Sequence, residues 1–376
     1  MLAGADEASV LYAAAEFVEE YLPAAHRTGS HEPYLRPLFS GAMPAYAHAS
    51  APACAVRGIW TWGHCIYNTE AFARQMARLR LNEVTIWNDY APLNLRDAVA
   101  CFHSWGIRVI LGYTWSWGEE VDVRSPETLE RWAARALETY DRDYAAAGGD
   151  GIYTQLFTET NEDTICGVPI ADAVTHWVNT ISGRLLSQHP GLRIQFGLHA
   201  TSVRSRLAPL RGVLPAVEII WEDCGAFPYT YLPETGGDAA ETQAFTERIC
   251  TLRPGCACGA VLKGQVCLDW SRFEHQKGPY LMGCRSASSI AAREREVREI
   301  WHYVQSRWME NGAQCEDVIA RLAHGGASVY ALVEDGLLEA GAWLPVALYA
   351  EMAWDPSVPF PALLSRVAAR RHVRLA

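Results

Sequence analysis

RGIWTWGHCIYNTEAFARQMARLRLNEVTIWNDYAPLNLRDAVACFHSWGIRVILGYTWSWG, residues 57–118, contains the alternation on which the fold reading rests. Three short, nearly continuous apolar runs stand in it or overlap its start, Val56 to Trp60, Glu83 to Trp87 and Arg108 to Tyr113. Strands of a parallel sheet are buried on both faces and read in this way. Between them lie amphipathic helical patterns, Glu70 to Leu79 and Leu95 to Trp105, the second stopped by Gly106.

The same rhythm continues outward. Further strands are expected at Gly151 to Phe157, Arg193 to Leu198, Val217 to Trp221, Val261 to Leu268 and Ala347 to Ala353, with Val329 to Val333 competing for the last place. The intervening helices begin at Ser125-Pro126-Glu127, with an N-cap serine and a proline at the first helical position. That helix stops at Gly148-Gly149; Ile170 to Leu186, Glu241 to Leu252, Ile290 to Trp308 and a shorter segment, Ser202 to Leu210, follow. Eight strands alternating with helices predict an α/β fold, a (β/α)₈ TIM-type barrel. Residues 56–356 form the barrel in this reading. Residues 1–55 carry a lone helix, Ala8 to Tyr21, and a connector, the remnant of an accessory domain; 357–376 carry a short C-terminal helix.

With 376 residues, half of them hydrophobic, the chain suffices for one large core. A net charge of −11 disfavours nucleic acid and anionic membranes as partners. No run approaches the ~20 apolar residues of a membrane span. The N-terminus has no basic region ahead of its apolar run, and the cysteines are odd in number and scattered. Both features point to a cytoplasmic protein with reduced thiols. The cluster Cys250, Cys256 and Cys258 lacks a second ligand pair and is read as thiols, so no metal or other cofactor is expected. Lys263 and Lys277 are the only lysines.

Reactive groups of such barrels gather where strands run into helices. Those positions hold Trp62 and His64, then Trp87, Asn88 and Asp89, then Trp115 and Trp117. Glu159 and Asn161 follow the fourth strand, His199 the fifth, Trp221, Glu222 and Asp223 the sixth, and Asp269 and Trp270 the seventh. Indole faces stack on the C–H faces of sugars, and carboxylates, amides and imidazoles bind their hydroxyls. Any one of these tryptophans alone could equally be barrel core.

Glycosidic cleavage needs an acid and a second carboxylate that attacks or activates water. Glu159 is the candidate acid, expected to be partly desolvated at the mouth. Asp223 and Asp269 are candidate bases or nucleophiles. Glu222 competes with Asp223, because neighbours on a strand point opposite ways. Each acid has a structural alternative, a loop-capping or arginine-paired carboxylate. Trp62-Gly63-His64-Cys65 lacks the second histidine of a metal amidohydrolase, and Lys263 is placed near the start of its strand, away from the mouth. Dinucleotide, Walker and nucleophile-elbow motifs are missing.

RGIWTWGH…MARLRLNEVTIWND followed by GIRVILGYTW resembles the barrel entry of the superfamily holding β-N-acetylhexosaminidases and α-glucuronidases. LYAEMAWDP is similar to the last barrel strand and following turn of the α-glucuronidases, and VLYAAAEFVEEYL to the helix that ends their preceding domain. The resemblance implies a glycosidase without cofactor whose acid, Glu159, follows strand four. The hexosaminidase pattern has Asp where Thr158 stands, and the α-glucuronidase pattern has Glu where Asp269 stands. The reading leans towards α-glucuronidases, with Arg272 as a uronate partner. The expected activity is hydrolysis of an oligosaccharide or glycoside. Its alternatives are a non-catalytic carbohydrate-binding barrel and a sugar-acid lyase or isomerase using His64 or His199.

Overall fold

The computed structural model describes residues 2–21, 47–199, 201–222, 239–265, 275–335, 338–341 and 344–370. Eight parallel strands close into a barrel: β1 (Arg57–Trp62), β2 (Glu83–Trp87), β3 (Arg108–Gly112), β4 (Gly151–Gln155), β5 (Ile194–His199), β6 (Val217–Glu222), β7 (Cys258–Leu262) and β8 (Ser328–Leu332). Each strand pairs with its sequence neighbours, and β8 returns to β1. The (β/α)₈ barrel expected from the alternation is the fold.

The helices start where local chemistry allows. Helix α1 (Glu7–Glu16) is capped by Asp6, which accepts from Ser9 N at 2.7 Å. The Asn68 side chain caps α2 (Thr69–Arg78) by accepting from Ala71 N at 2.8 Å. Helix α3 (Leu95–Ser104) is followed by Gly106 at φ 70°. Ser125 caps α4 (Pro126–Thr139) through Thr128 N, with proline at its start as expected. Helices α5 (Ile170–Gln188), α6 (Ala239–Cys250), α7 (Ala287–Asn311) and α8 (Ala313–His324) continue the outer layer. The segment Ser202 to Leu210 forms only the short turns Thr201–Val203 and Ala208–Gly212 rather than a helix.

The last strand is a correction. Ala347 to Ala353 lies inside α9 (Leu344–Trp354), all of whose residues are buried, and β8 is the competing segment. An element apolar on every side has no periodicity to separate a buried helix from a buried strand. α9 packs at the N-terminal end of the barrel. Tyr349 OH donates there to the carbonyls of Gly58 (2.9 Å) and Val329 (2.8 Å). Buried Glu351 accepts from Arg80, Arg366 and Arg370, the last helix α10 (Phe360–Arg370) supplying two of these. The seventh strand is also shifted, to Cys258–Leu262 from the expected Val261 to Leu268.

Side chains alternate inward and outward along each strand, so the barrel interior is filled in layers. The layer nearest the strand starts is polar. Glu83, fully buried, accepts from Arg108 Nε (2.8 Å), Arg193 Nη1 (2.6 Å) and Tyr330 OH. Glu218 accepts from Arg193 (2.7 Å), Gln195 (3.0 Å) and Ser328 Oγ (2.6 Å). Above lies an apolar plug of Trp60, Ile110, Tyr153, Ile220, Val261 and Leu332, a cluster separate from the larger core between sheet and helices. Removing Glu83 takes the carboxylate from Arg108, leaves Arg193 with Glu218 alone and deprives the buried Tyr330 hydroxyl of its acceptor. Glu83→Ala is therefore expected to lower unfolding free energy by about 3 kcal/mol, read as the urea midpoint at constant slope.

Candidate functional site

The third interior layer lies at the C-terminal ends of the strands and is chemically different. The inward positions there are Trp62, Trp87, Gln155, His199 and Glu222, continued just past β7 and β8 by Lys263 and Glu334. Trp60, Trp62, Trp87 and Tyr153 form its aromatic floor; Trp60 stacks on Trp87 at 6.2 Å, and Trp62 meets Trp87 edge-on at the same distance. Trp117, from the loop after β3, closes one side against Trp62 (6.2 Å) and Trp87 (5.7 Å).

Glu222 is the centre of the polar part. It accepts from Tyr153 OH and Gln155 Nε2, its oxygen lies 2.9 Å from Lys263 Nζ, and His199 Nε2 approaches to 3.3 Å. Burial opposes its charge, but the Lys263 ammonium and the hydrogen bonds donated by Tyr153, Gln155 and Lys263 outweigh it and hold the carboxyl below the ordinary carboxylate value. His199 goes the other way. Burial lowers its pKa despite the Glu222 charge, and nearby Lys263 adds to the lowering. We therefore assign the Glu222 charge to balance chiefly against Lys263, with a neutral imidazole. Its Nε2 faces two carboxylates and so carries the proton, leaving buried Nδ1 bare. Gly197 permits the cluster: a Cβ there would stand 2.0 Å from Tyr153 OH.

Glu159 faces this cluster from the loop after β4. Its Oε2 accepts from Trp117 Nε1 at 2.5 Å and lies 3.6 Å from His199 Nε2. Because Glu159 and Glu222 meet the same imidazole nitrogen, their nearest oxygens are no more than about 7 Å apart, a ceiling below the roughly 9.5 Å upper end for glycosidase carboxylate pairs. The expected desolvation of Glu159 is corrected: its side chain is 52% exposed, because it opens onto a cavity rather than the barrel interior. That cavity, of ≈520 Å³, is lined by Trp117, Phe157, Glu159, Glu119, Glu120 and Glu162 among others. Thr158 is buried; its hydroxyl accepts from His199 N (3.3 Å) and its carbonyl from Ser202 Oγ (2.7 Å), tying the β4 loop to the β5 loop. Its side chain is not among those lining the cavity.

The remaining sequence candidates separate by strand parity. His64 follows β1 over Trp62, at 5.7 Å between rings, and burial lowers its pKa. Asn88 is buried and committed, accepting from Tyr280 OH (2.6 Å) and donating to Ile86 O (3.0 Å). Asp89 accepts from Gln276 N (2.9 Å) and pairs with His275, whose ring also touches Trp62 and Trp117. Trp115 and Trp221 point outward, into the layer between sheet and helices. Trp115 packs by Tyr113 and Trp221 on Phe245 of α6, so neither lines the mouth. Asn161 is exposed on its loop, apart from the residues described as lining the cavity. Asp223, Asp269, Trp270 and Arg272 lie outside the described residues.

Lys263, Glu334, Tyr153 and Gln155 join the site without having been singled out for it. Lys263 was placed at the wrong end because β7 begins three residues earlier than the hydrophobic run. Glu334 follows the strand that lost the competition in the reading. Tyr153 and Gln155 were visible as alternate residues of GIYTQ, and nothing but parity marks them. Among the described residues no three His, Cys, Asp or Glu side chains converge as metal ligands, and their cysteines are free thiols. No helix among them is long and apolar enough to cross a membrane.

No protein-family model matches this chain, and no curated protein matches it. Among solved structures it is similar to a GH138 enzyme targeting pectin rhamnogalacturonan II, with a TM-score of 0.52 at 12% identity over 94% of this chain and 43% of that one. The chain thus spans less than half the length of that enzyme. An exo-β-1,4-mannosidase from Opitutaceae bacterium strain TAV5 matches at 0.44 and 12%, over 83% and 60% of the two chains. A D-psicose 3-epimerase from Clostridium cellulolyticum H10 matches at 0.41 and 10%, over 84% and 97%. At 12% identity the likeness to the GH138 enzyme concerns the fold alone, and chemistry must be argued from the site.

The pKa of Glu222 is below its ordinary value, so its stabilising contribution is present above about pH 4.5 and is lost as pH falls towards about 2. Acid titration of stability should therefore show a component over that window which Glu222→Gln removes, read by urea unfolding at a series of pH values. An unchanged acid limb in the variant would place the charge elsewhere.

Proposed function

We propose that this chain is a glycoside hydrolase acting through carboxylates at the barrel mouth. The observation that carries the reading is the meeting of Glu159 and Glu222 at Nε2 of His199, above an aromatic floor, with Glu159 also lining a cavity. Glu222, held ionised, is the base or nucleophile; Glu159, open to the cavity, is the acid that protonates the departing oxygen. Trp117, which lines the cavity, supplies the stacking surface, buried Trp62 and Trp87 back it, and neutral His199 keeps the two carboxylates apart and orients them. Asp223 and Asp269 stay candidates for a further carboxylate on the same rim.

The charge around the cavity bears on the sugar. The described acidic residues lining it are Glu119, Glu120, Glu159 and Glu162, and like charges at short range repel. This supports a neutral or N-acetylated sugar in that cavity over the uronate suggested by the α-glucuronidase resemblance.

A hydrolysis screen tests the reading, with aryl β-N-acetylhexosaminides, aryl α- and β-hexosides and aldouronic oligosaccharides, each beside Glu159→Gln. Neutral or N-acetylated substrates should be cleaved, with kcat reduced by about 10²–10⁴ in the variant and the fold intact by circular dichroism. Full turnover by Glu159→Gln would remove it from the mechanism. A sugar that raises the melting temperature but is never cleaved would make the chain a carbohydrate-binding barrel.

A further inference from the structure

The third carboxyl of the mouth layer is not used by this mechanism. Glu334 follows β8, continuing the inward series Ser328, Tyr330 and Leu332, and stands in the same layer as Glu222 and Lys263. It is 1% exposed. One oxygen accepts from Trp62 Nε1 at 2.9 Å, the indole that also forms the aromatic floor. The other oxygen is buried and makes no hydrogen bond. A native interior rarely leaves such an atom unmatched, and an ionised carboxylate with an idle oxygen would be costlier still.

We propose that Glu334 is a positioning residue of the barrel mouth, a neutral carboxylic acid whose unmatched oxygen donates its proton in a hydrogen bond to an acceptor oxygen of a sugar bound over the mouth. This rests on the glycosidase reading and deepens it. Burial is the main force keeping the carboxyl neutral, and the charges of Glu222 from β6 and Glu159 from the β4 loop act in the same direction. Lys263 from β7 and the Trp62 hydrogen bond oppose them, and the outcome is a pKa raised to about 8. A carboxyl held neutral at physiological pH becomes a donor, which no ionised glutamate can be. Glu222 and Glu334 thus divide one layer into an anion that accepts and an acid that donates.

Two arms test this. The first needs no ligand. A carboxyl whose pKa is raised on folding contributes stability that is present below about pH 4.5 and lost as pH rises through about 8. The melting temperature of Glu334→Gln relative to wild type should therefore rise between about pH 5 and about pH 9. A constant difference means that Glu334 is ionised in the fold, and the proposal is overturned.

The second arm measures Kd for methyl β-D-glucoside, methyl N-acetyl-β-D-glucosaminide and methyl α-D-glucuronide by calorimetry. For whichever glycoside binds, Glu334→Ala should raise Kd about tenfold, and Glu334→Gln, which retains a donor, only about threefold. Wild-type Kd should rise about tenfold from about pH 7 to about pH 9.5, and that of Glu334→Gln should stay level. Equal binding by wild type and both variants defeats this role alone. Absence of binding to all three by the wild type, with no cleavage in the screen, defeats the hydrolase reading and this role together. A loss of kcat in Glu334→Gln as large as in Glu159→Gln would overturn the positioning role, making Glu334 a proton donor to the leaving group.

Discussion

A closed parallel barrel leaves its interior no freedom about which residues meet. Pairing of β1 with both β2 and β8 fixes every strand's register, and alternation then sends one residue in two to the axis. The contact between Glu222 and Lys263 at 2.9 Å follows from that constraint, since β6 and β7 are neighbours and Lys263 stands two residues beyond Val261, the register partner of Glu222, and so on the same inward side. Tyr153 and Gln155 reach the same carboxylate from β4, across β5, because Gly197 leaves room for the phenol.

The interior is polar at both ends and apolar between them, and the two polar ends differ in how they are completed. At the N-terminal end, Glu83 and Glu218 are matched by Arg108, Arg193, Gln195, Ser328 and Tyr330, so buried charge is neutralised within the protein. At the C-terminal end the matching is partial. His199 Nδ1 and one oxygen of Glu334 are buried without partners, and Glu159 projects into a cavity. Buried polar atoms left unmatched at this end are where a bound group could complete the layer. The aromatic plug between the ends keeps the two networks apart and provides a flat, dry floor for the upper one.

Much of the barrel was legible because buried parallel strands leave continuous apolar runs, and because Ser125-Pro126 and Gly106 punctuate the helices at the residue. The eighth strand was misplaced because Leu344–Trp354 is apolar on every side. Lys263 was misplaced with the start of β7, whose first residues, Cys258 and Gly259, carry little hydrophobic signal. In the site, Trp62, Trp87, Trp117, Glu159, His199 and Glu222 were readable as strand-end residues of the right chemistry. Trp115 and Trp221 were not separable from them, because the same residue type at a strand end serves either layer.

Composition and pattern alone determined the class of fold, the strand order and the end of the barrel at which polar chemistry collects, because these depend on local periodicity and on the one-way geometry of β-α connections. Which carboxylate is charged, which is neutral and which faces solvent was decided only by tertiary structure. The physical reason is that ionisation depends on burial and on neighbours distant in sequence. Glu222 is held as an anion by Lys263, forty-one residues later, while Glu334 meets Trp62, 272 residues earlier, and no other donor.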